Sequence, residues 1–231
     1  MPLCLWMTPR RVGAGVPDWR DHPIPEAPMP QPLVVVDGRG GLPGEITRQL
    51  RLAGAARVHG GPFAADAAEA LLSASPRDRP AAVVLVAGST VTVEAAAPWQ
   101  RAGVPHLPVT CDGRVSTIGP LVVPGIGACW RCHALTAHDL DAVGAAPSSR
   151  LALDPVALPP GGLGVLTAAV TATVVLAGIA GASRLVGVST EIEVDGPTIS
   201  HRHWDRHPLC PVCPRSGVPA PLSGGPDTMA G

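Results

Sequence analysis

Four cysteines, arranged as two C-x-x-C pairs, are the residues of this sequence best suited to chemistry. Cys129 and Cys132 lie in the stretch GACWRCHAL, and Cys210 and Cys213 lie in RHPLCPVCP near the other end of the chain. Each C-x-x-C pair presents two sulfur atoms to one side of a metal ion, and four thiolates complete the tetrahedral shell of a structural zinc. We therefore predict that these four residues bind one zinc ion.

Disulfide bonds and a redox pair are the alternatives to a metal site. Structural disulfides are rare in a reducing cytoplasm, and neither pair opens a helix directly after a strand, as redox pairs do. Zinc binding contributes on the order of 10 kcal/mol to folding, whereas closing a loop of roughly eighty residues costs about 4 kcal/mol. His133 and His207 flank the pairs as substitute ligands, but four sulfur atoms already complete the shell.

A glycine-rich turn is the second candidate site. The stretch DGRGGLPG follows a predicted strand and places Gly38, Gly40 and Gly41 where a nucleotide phosphate would rest on amides at a helix N-terminus. Pro43 takes the third glycine position of G-x-G-x-x-G and removes a backbone donor. No acidic residue follows at the distance expected for a ribose contact. We favour a degenerate nucleotide loop kept for close packing over a working site, and we do not expect ATP on this chain.

The composition limits the chemistry further. The 231 residues include no Lys, no Asn and no Tyr, all 17 basic residues are Arg, and the formal net charge is −1. Mechanisms that need a lysine amine or an asparagine amide are therefore closed to this chain. A near-zero net charge without a dense basic stripe also argues against nucleic acid as a partner.

Alternating strand-like and helix-like segments predict an α/β fold. Apolar strands separated by helices are typical of a mostly parallel, Rossmann-like sheet covered on both faces. A period-two pattern across 189–204 predicts an antiparallel hairpin that turns at Asp195 and Gly196. The predicted strands are 32–38, 57–59, 81–88 and 104–110, and the predicted helices are 45–52, 66–74 and 91–102.

The distribution of Pro, Gly and Ser predicts one domain with two tails. We expect a Pro-rich N-terminal tail at 1–31, an α/β domain with a zinc-bound C-terminal lobe at 32–214, and a disordered tail at 215–231. The N-terminal residues lack a convincing signal peptide, so we predict a cytoplasmic location.

Segment 163–183 is uncharged and about as long as a membrane-spanning helix of ~20 residues. A single span would place the two cysteine pairs on opposite sides of roughly 30 Å of hydrocarbon. Because that arrangement is incompatible with a shared zinc ion, we predict a helix buried on all sides and no membrane partner.

Four further residues offer weaker candidate sites. Cys111, in VTCDG, is either a nucleophile or a buried small hydrophobe, and we favour the second interpretation. His201, His203 and His207 form either a metal-binding cluster or a solvated or interfacial strand face, and we again favour the second.

The order of these features resembles a known superfamily. The glycine turn, the strand AAVVLVAGS, the run GPLVVPGIGACWRC at 119–132 and the closing HPLCPVC are similar to the ThiF/MoeB-type, ubiquitin-activating-like superfamily. Within it, GPLVVPG followed by C-x-x-C, together with W-x-x-H-P-x-C at 204–210, resembles the ThiF-like partner proteins of thiazole/oxazole-modified peptide (TOMM) biosynthesis. The resemblance covers roughly 33–213.

This resemblance implies a non-catalytic docking subunit. Such partners work beside a YcaO-type ATP-dependent cyclodehydratase, which converts Cys, Ser or Thr residues of a ribosomal precursor peptide to azolines. The partner presents the substrate and activates the catalytic subunit, and superfamily members are usually homodimers. The segment before Pro32 is too short and too proline-rich to form the winged-helix, leader-binding domain that commonly opens these partners.

Two alternatives remain open beside the favoured docking subunit. Active superfamily members adenylate a carboxylate with the glycine loop, an acidic ribose contact and Arg, Asn and Lys side chains, and this chain has neither Lys nor Asn. The chain is thus a docking subunit, an adenylating enzyme with an unusual loop, or a Rossmann-type oxidoreductase or nucleotide-binding module. Nucleotide binding by the purified protein separates the first from the other two.

Overall fold

The computed structural model describes residues 31–75, 79–141, 155–160, 162–194 and 198–213. The predicted tails lie outside these ranges apart from Gln31, and so does the predicted turn at Asp195 and Gly196. Strands and helices alternate up to the fourth strand, which confirms the predicted α/β class. The strands are β1 (Leu33–Asp37), β2 (Arg57–Gly61), β3 (Ala82–Ala87), β4 (His106–Cys111), β5 (Val115–Ile118), β6 (Val188–Glu193) and β7 (Thr198–His203). The α-helices are α1 (Gly41–Leu52), α2 (Ala64–Ala74), α3 (Val93–Ala102), α4 (Trp130–Asp141) and α5 (Leu163–Ile179).

One seven-stranded sheet has the order β2-β1-β3-β4-β5-β6-β7. The first four strands of this order are parallel, and the last three continue the sheet through antiparallel pairs. The predicted hairpin is the β6–β7 pair. The order of strands reverses between β1 and β3, and open α/β sheets bind their ligands in the crevice at the carboxyl ends of such strands.

Alternate residues of the central strands divide the core into two layers. Val34 and Val36 of β1 pack in a cluster with α1 and α5, whereas Val35 packs in a cluster with α2 and α3. Every residue of β3, from Ala82 to Ala87, is buried. Parallel strands covered by helices on both faces have no solvent-facing side, so their sequences are continuously apolar.

Helix α5 departs from the predicted burial on all sides. Leu163, Ala168 and Val175 are buried against α1 and the sheet, but Val165 and Leu166 are 45% and 41% exposed. In the single chain this side is therefore open, and a uniformly apolar helix carries no polar face that would mark it in the sequence. Across the described ranges, no helix has both the length and the apolar character needed to cross a membrane.

The structure contains a strand, β5, and a helix, α4, that the sequence pattern does not predict. The Asp112 side chain accepts hydrogen bonds from the backbone amides of Val115 and Arg114, both at 2.9 Å. This turn leads from β4 into the antiparallel β5, and the two amides hold the pKa of the Asp112 carboxyl below its usual value. A short strand after such a turn and a helix that opens inside a C-x-x-C pair both lack a clear apolar period.

Leu42 and Leu52 provide a matched test of how α1 packs. Leu42 is fully buried, whereas Leu52, in the same helix, is 69% exposed. We expect Leu42→Ala to lower the free energy of unfolding by about 3 kcal/mol, since it removes buried methyl groups and leaves a cavity. Leu52→Ala should change it by less than about 0.5 kcal/mol. Urea unfolding followed by circular dichroism measures both, and equal losses would contradict the described packing.

Candidate functional site

The four predicted cysteine ligands come together into one group, here called the cysteine cluster. Cys129 precedes α4, Cys132 lies in its first turn, and Cys210 and Cys213 lie in the segment after β7. Neighbouring sulfur atoms are 3.7 Å (129–132), 3.6 Å (129–210) and 3.5 Å (132–213) apart. A disulfide would need about 2.05 Å, whereas a tetrahedron with zinc–sulfur bonds of about 2.3 Å has edges of about 3.8 Å. The spacing therefore fits a four-thiolate metal centre.

Burial makes the cysteine cluster costly to ionise without a cation. It raises the pKa of the Cys129 and Cys132 thiols above the usual range. At Cys210 burial also acts to raise the pKa, but hydrogen bonds from the backbone amides of Val212 and Cys213 and from the Cys132 and Cys129 thiols together outweigh it, and the net pKa is lowered. A bound dication deprotonates coordinating thiols and offsets their mutual repulsion. The donor set and its backbone amides thus suit a thiophilic dication such as Zn²⁺.

His207 lies beside the cysteine cluster and forms hydrogen bonds that stabilise the segments around it, but it is not one of the ligands. Its Nδ1 accepts a hydrogen bond from the Leu209 amide at 3.1 Å, so Nε2 carries the proton and donates to Asp139 Oδ2 at 2.8 Å. This hydrogen bond holds the pKa of the Asp139 carboxyl below its usual value. The pair ties α4 to the closing segment, and Arg206 adds a second link by donating from Nε to the Gly127 carbonyl oxygen at 2.8 Å.

An aromatic stack, formed by Trp130, His133 and Trp204, joins the cysteine cluster to the sheet. The His133 ring lies 4.2 Å from Trp130 and 4.1 Å from Trp204, centroid to centroid. Trp130 Nε1 donates to the Val91 carbonyl oxygen at 3.1 Å. Trp204 Nε1 donates to Ser189 Oγ at 2.8 Å. Burial lowers the pKa of His133 to about 4, so the ring is neutral near pH 7 and packs as an aromatic group.

The chain itself fills the glycine turn. The Val156 carbonyl oxygen accepts a hydrogen bond from the Leu42 amide in the first turn of α1 at 3.2 Å, and the Val156 amide donates to the Arg39 carbonyl oxygen at 2.7 Å. The Leu42 amide is a donor that a nucleotide phosphate would otherwise approach at a helix N-terminus. Segment 155–158, which none of the sequence motifs marks, therefore occupies this end of the crevice. Nearby prolines indicate an extended segment, but no sequence pattern states where it packs.

Close approach explains the glycines of the turn. A Cβ atom at Gly40 would lie 2.3 Å from the Val156 carbonyl oxygen, and the backbone φ of Gly40 is +103°. A Cβ atom at Gly41 would lie 2.9 Å from the backbone nitrogen of Leu158. At Gly38, with φ of +146°, a Cβ atom would lie 2.9 Å from Cγ of Pro43. The favoured interpretation of the turn as a packing element is consistent with these contacts.

The weaker candidates do not assemble into a second site. Cys111 is 5% exposed at the end of β4, as expected for a buried small hydrophobe. His201 Nδ1 is 3.0 Å from Thr190 Oγ1, and His203 Nδ1 is 3.5 Å from Asp205 Oδ1. Among the described residues, the cysteine cluster is the one group of His, Cys, Asp and Glu side chains with metal-binding spacing.

Gly40 and Gly44 provide a matched test of the filled turn. Gly40→Ala places a methyl group against the Val156 carbonyl and forces an unfavourable φ, so we expect it to lower the free energy of unfolding by more than about 2 kcal/mol. Nothing lies within 4 Å of a Cβ atom at Gly44 in α1, so Gly44→Ala should stabilise the protein by about 0.5–1 kcal/mol. Guanidinium unfolding measures both, and a fully stable Gly40→Ala protein would show that segment 155–158 is not seated there.

No protein-family model and no curated protein matches the chain, but solved structures do. A structure described as a heterocyclase in complex with substrate and cofactor has a TM-score of 0.53 and 18% identity, over 79% of this chain and 25% of its own. MccB of E. coli has a TM-score of 0.53 and 16% identity, over 82% and 67%. The heterocyclase TruD has a TM-score of 0.51 and 20% identity, over 79% and 27%.

The chain spans about a quarter of the two heterocyclases and about two thirds of MccB. At these identities the likeness is one of fold. This α/β chain therefore shares the fold of MccB and of part of two heterocyclases, in agreement with its resemblance to the ThiF-like proteins.

Proposed function

We propose that this chain is a non-catalytic, ThiF-like docking subunit of a YcaO-type ATP-dependent cyclodehydratase that forms azolines on a ribosomal precursor peptide. The observation that carries the proposal is the filled glycine turn. At the N-terminus of α1, the backbone of Val156 accepts a hydrogen bond from the Leu42 amide and donates one to the Arg39 carbonyl oxygen. A subunit that keeps the fold but closes this turn supports catalysis through contact with its partner. The absence of Lys and Asn from the sequence agrees with this role.

The fold comparison supports the same class of process. Two of the structures that this chain resembles are described as heterocyclases, and one of them as a complex with substrate and cofactor. The matched region is about a quarter of each heterocyclase. We propose that this chain is a small partner protein that supplies this part of the assembly, and that the catalytic subunit is a separate chain.

We further propose that the cysteine cluster binds one structural zinc ion. Cys129 and Cys132 would supply one pair of thiolates, and Cys210 and Cys213 the other. Bound there, the ion supplies no redox or acid–base chemistry and holds α4 against the closing segment. In this proposal the zinc-held lobe, and not the glycine turn, supports the contact with the catalytic subunit.

Zinc analysis tests the metal site. We expect one zinc atom per chain in protein purified without chelator, and we expect Cys210→Ser to lose most of it and to unfold at lower denaturant, because an incomplete shell binds weakly. Cys111→Ser is the control, since Cys111 is buried but lies outside the cysteine cluster, and it should retain its zinc. Wild-type protein without metal, or full zinc in Cys210→Ser, would refute the site.

An adenylating enzyme is the second candidate, because one of the MccB structures that this chain resembles was determined with ATP. That structure has a TM-score of 0.50 and 18% identity to this chain. In an adenylating enzyme, segment 155–158 would have to leave the turn so that a nucleotide can reach the amides of α1. Pyrophosphate exchange into ATP by the isolated chain distinguishes the two candidates.

A reconstituted cyclisation assay tests the docking role. The cognate YcaO-type subunit and precursor peptide are assayed alone, with wild-type chain, and with Cys210→Ser. We expect the wild-type chain to stimulate azoline formation, the Cys210→Ser chain to stimulate it less, and the isolated chain to show no pyrophosphate exchange. No stimulation by wild-type protein would refute the docking role, and pyrophosphate exchange would favour the adenylating enzyme.

The proposal includes self-association and a cytoplasmic location. The exposed apolar side chains of Val165 and Leu166 on α5 offer a surface for a homodimer.

A further inference from the structure

A hydrogen-bonded pair, Asp139 and His207, joins the two parts of the chain that supply the cysteine cluster. Asp139 lies in the last turn of α4, and His207 lies shortly before Cys210 in the closing segment, 204–213. His207 Nε2 donates to Asp139 Oδ2 at 2.8 Å. The His207 side chain is 7% exposed and that of Asp139 is 62% exposed. The contact therefore links a nearly buried imidazole to a carboxylate at the surface.

The main chain of His207 contacts both ligand pairs. Burial raises the pKa of the Cys132 thiol, and a hydrogen bond from the His207 backbone amide acts in the opposite direction. The His207 carbonyl oxygen accepts a hydrogen bond from the Cys210 amide at 3.0 Å. The ring closes the same turn, because Nδ1 accepts a hydrogen bond from the Leu209 amide at 3.1 Å. His207 thus places a donor beside Cys132 and shapes the turn that leads into Cys210.

The stability of α4 does not account for Asp139. A carboxylate in the last turn of a helix lies at the negative end of the helix dipole and is unfavourable there. Its side-chain contacts are with imidazoles: His207 at 2.8 Å and, at the longer distance of 3.7 Å, His138, whose side chain is 82% exposed. Of these two, His207 belongs to the turn that contacts the cysteine cluster. Asp139 therefore stabilises the closing segment and not its own helix.

We propose that Asp139 and His207 are positioning residues that slow the loss of a metal ion from the cysteine cluster. An ion held by two distant ligand pairs leaves when the pairs separate, and the His207–Asp139 hydrogen bond connects α4 to the closing segment without passing through a cysteine. Groups that orient the ligands of a metal commonly change its affinity by about 10–100-fold. The inference rests on the zinc ion proposed above, but it does not depend on the docking role.

A second His–Asp pair provides a control with the same chemistry. His203 Nδ1 lies 3.5 Å from Asp205 Oδ1, and the two side chains are 63% and 94% exposed. Both residues belong to one short stretch at the end of β7, so their contact does not join separate segments. Exposed ion pairs of this kind contribute little to stability. Loss of the His203–Asp205 contact should therefore leave metal retention unchanged.

Zinc release into excess chelator, followed by the absorbance of a chromogenic zinc indicator, measures the effect. We expect Asp139→Ala to speed release about fivefold, and His207→Ala to speed it at least about tenfold because it also removes the acceptor of the Leu209 amide. Asp139→Asn keeps an acceptor oxygen for Nε2 and should stay within about twofold of wild type. His203→Ala and Asp205→Ala should also stay within about twofold. Circular dichroism of the zinc-loaded variants checks that each is folded.

The double variant separates positioning from a general weakening of the lobe. If Asp139 acts through His207, adding Asp139→Ala to His207→Ala should speed release by less than about twofold more, because residues in contact are not additive. Equal release from wild type and Asp139→Ala, effects that multiply independently in the double variant, or wild-type protein that binds no zinc would each overturn the inference. Faster release from Asp139→Ala in a protein that stimulates no YcaO-type subunit would support the inference and refute the docking role. Stimulation by wild-type protein with unchanged release from Asp139→Ala would do the reverse.

Discussion

The convergence of two C-x-x-C pairs from distant parts of the chain is the constraint on which the architecture of the C-terminal half depends. The pairs come from the start of α4 and from the segment after β7, and their sulfur atoms lie at tetrahedral spacing. The cysteine cluster fixes where α4 begins and so fixes the aromatic stack that rests on the sheet. Held at this end, α4 stands over one face of the antiparallel strands, and an open cleft lies between them.

The glycine turn and the cleft under α4 differ in how their polar groups are satisfied. At the glycine turn, the Val156 carbonyl oxygen accepts a hydrogen bond from the Leu42 amide of α1, and a Cβ atom at Gly40 would collide with Val156. In the cleft between α4 and strands β4 to β7, side-chain hydroxyls and charges remain open to solvent along four strands.

This division gives the proposed function its physical basis. Segment 155–158 already pairs the Leu42 amide at the N-terminus of α1 with the Val156 carbonyl oxygen, and we propose that the turn is closed to nucleotides for this reason. The remaining functional surfaces are contact surfaces: a metal-held lobe, an exposed face of α5 and a polar cleft. In the role that we propose, the chain acts through contacts of this kind, and what it shares with part of two heterocyclases is the fold.

The sequence by itself determined the α/β class, most of the parallel strands, the hairpin and the four cysteines that meet. Continuous apolar runs such as Ala82–Ala87 reflect burial on both faces, and C-x-x-C spacing reflects the local geometry of a metal knuckle, so both are written in short stretches. The exposed side of α5, the seat of segment 155–158 and the polar side chains from Thr110 to Ser200 that line the cleft under α4 were decided by the tertiary structure alone. Each depends on which distant residues become neighbours. A threonine in a strand does not indicate whether its face of the sheet is covered by a helix or exposed to water.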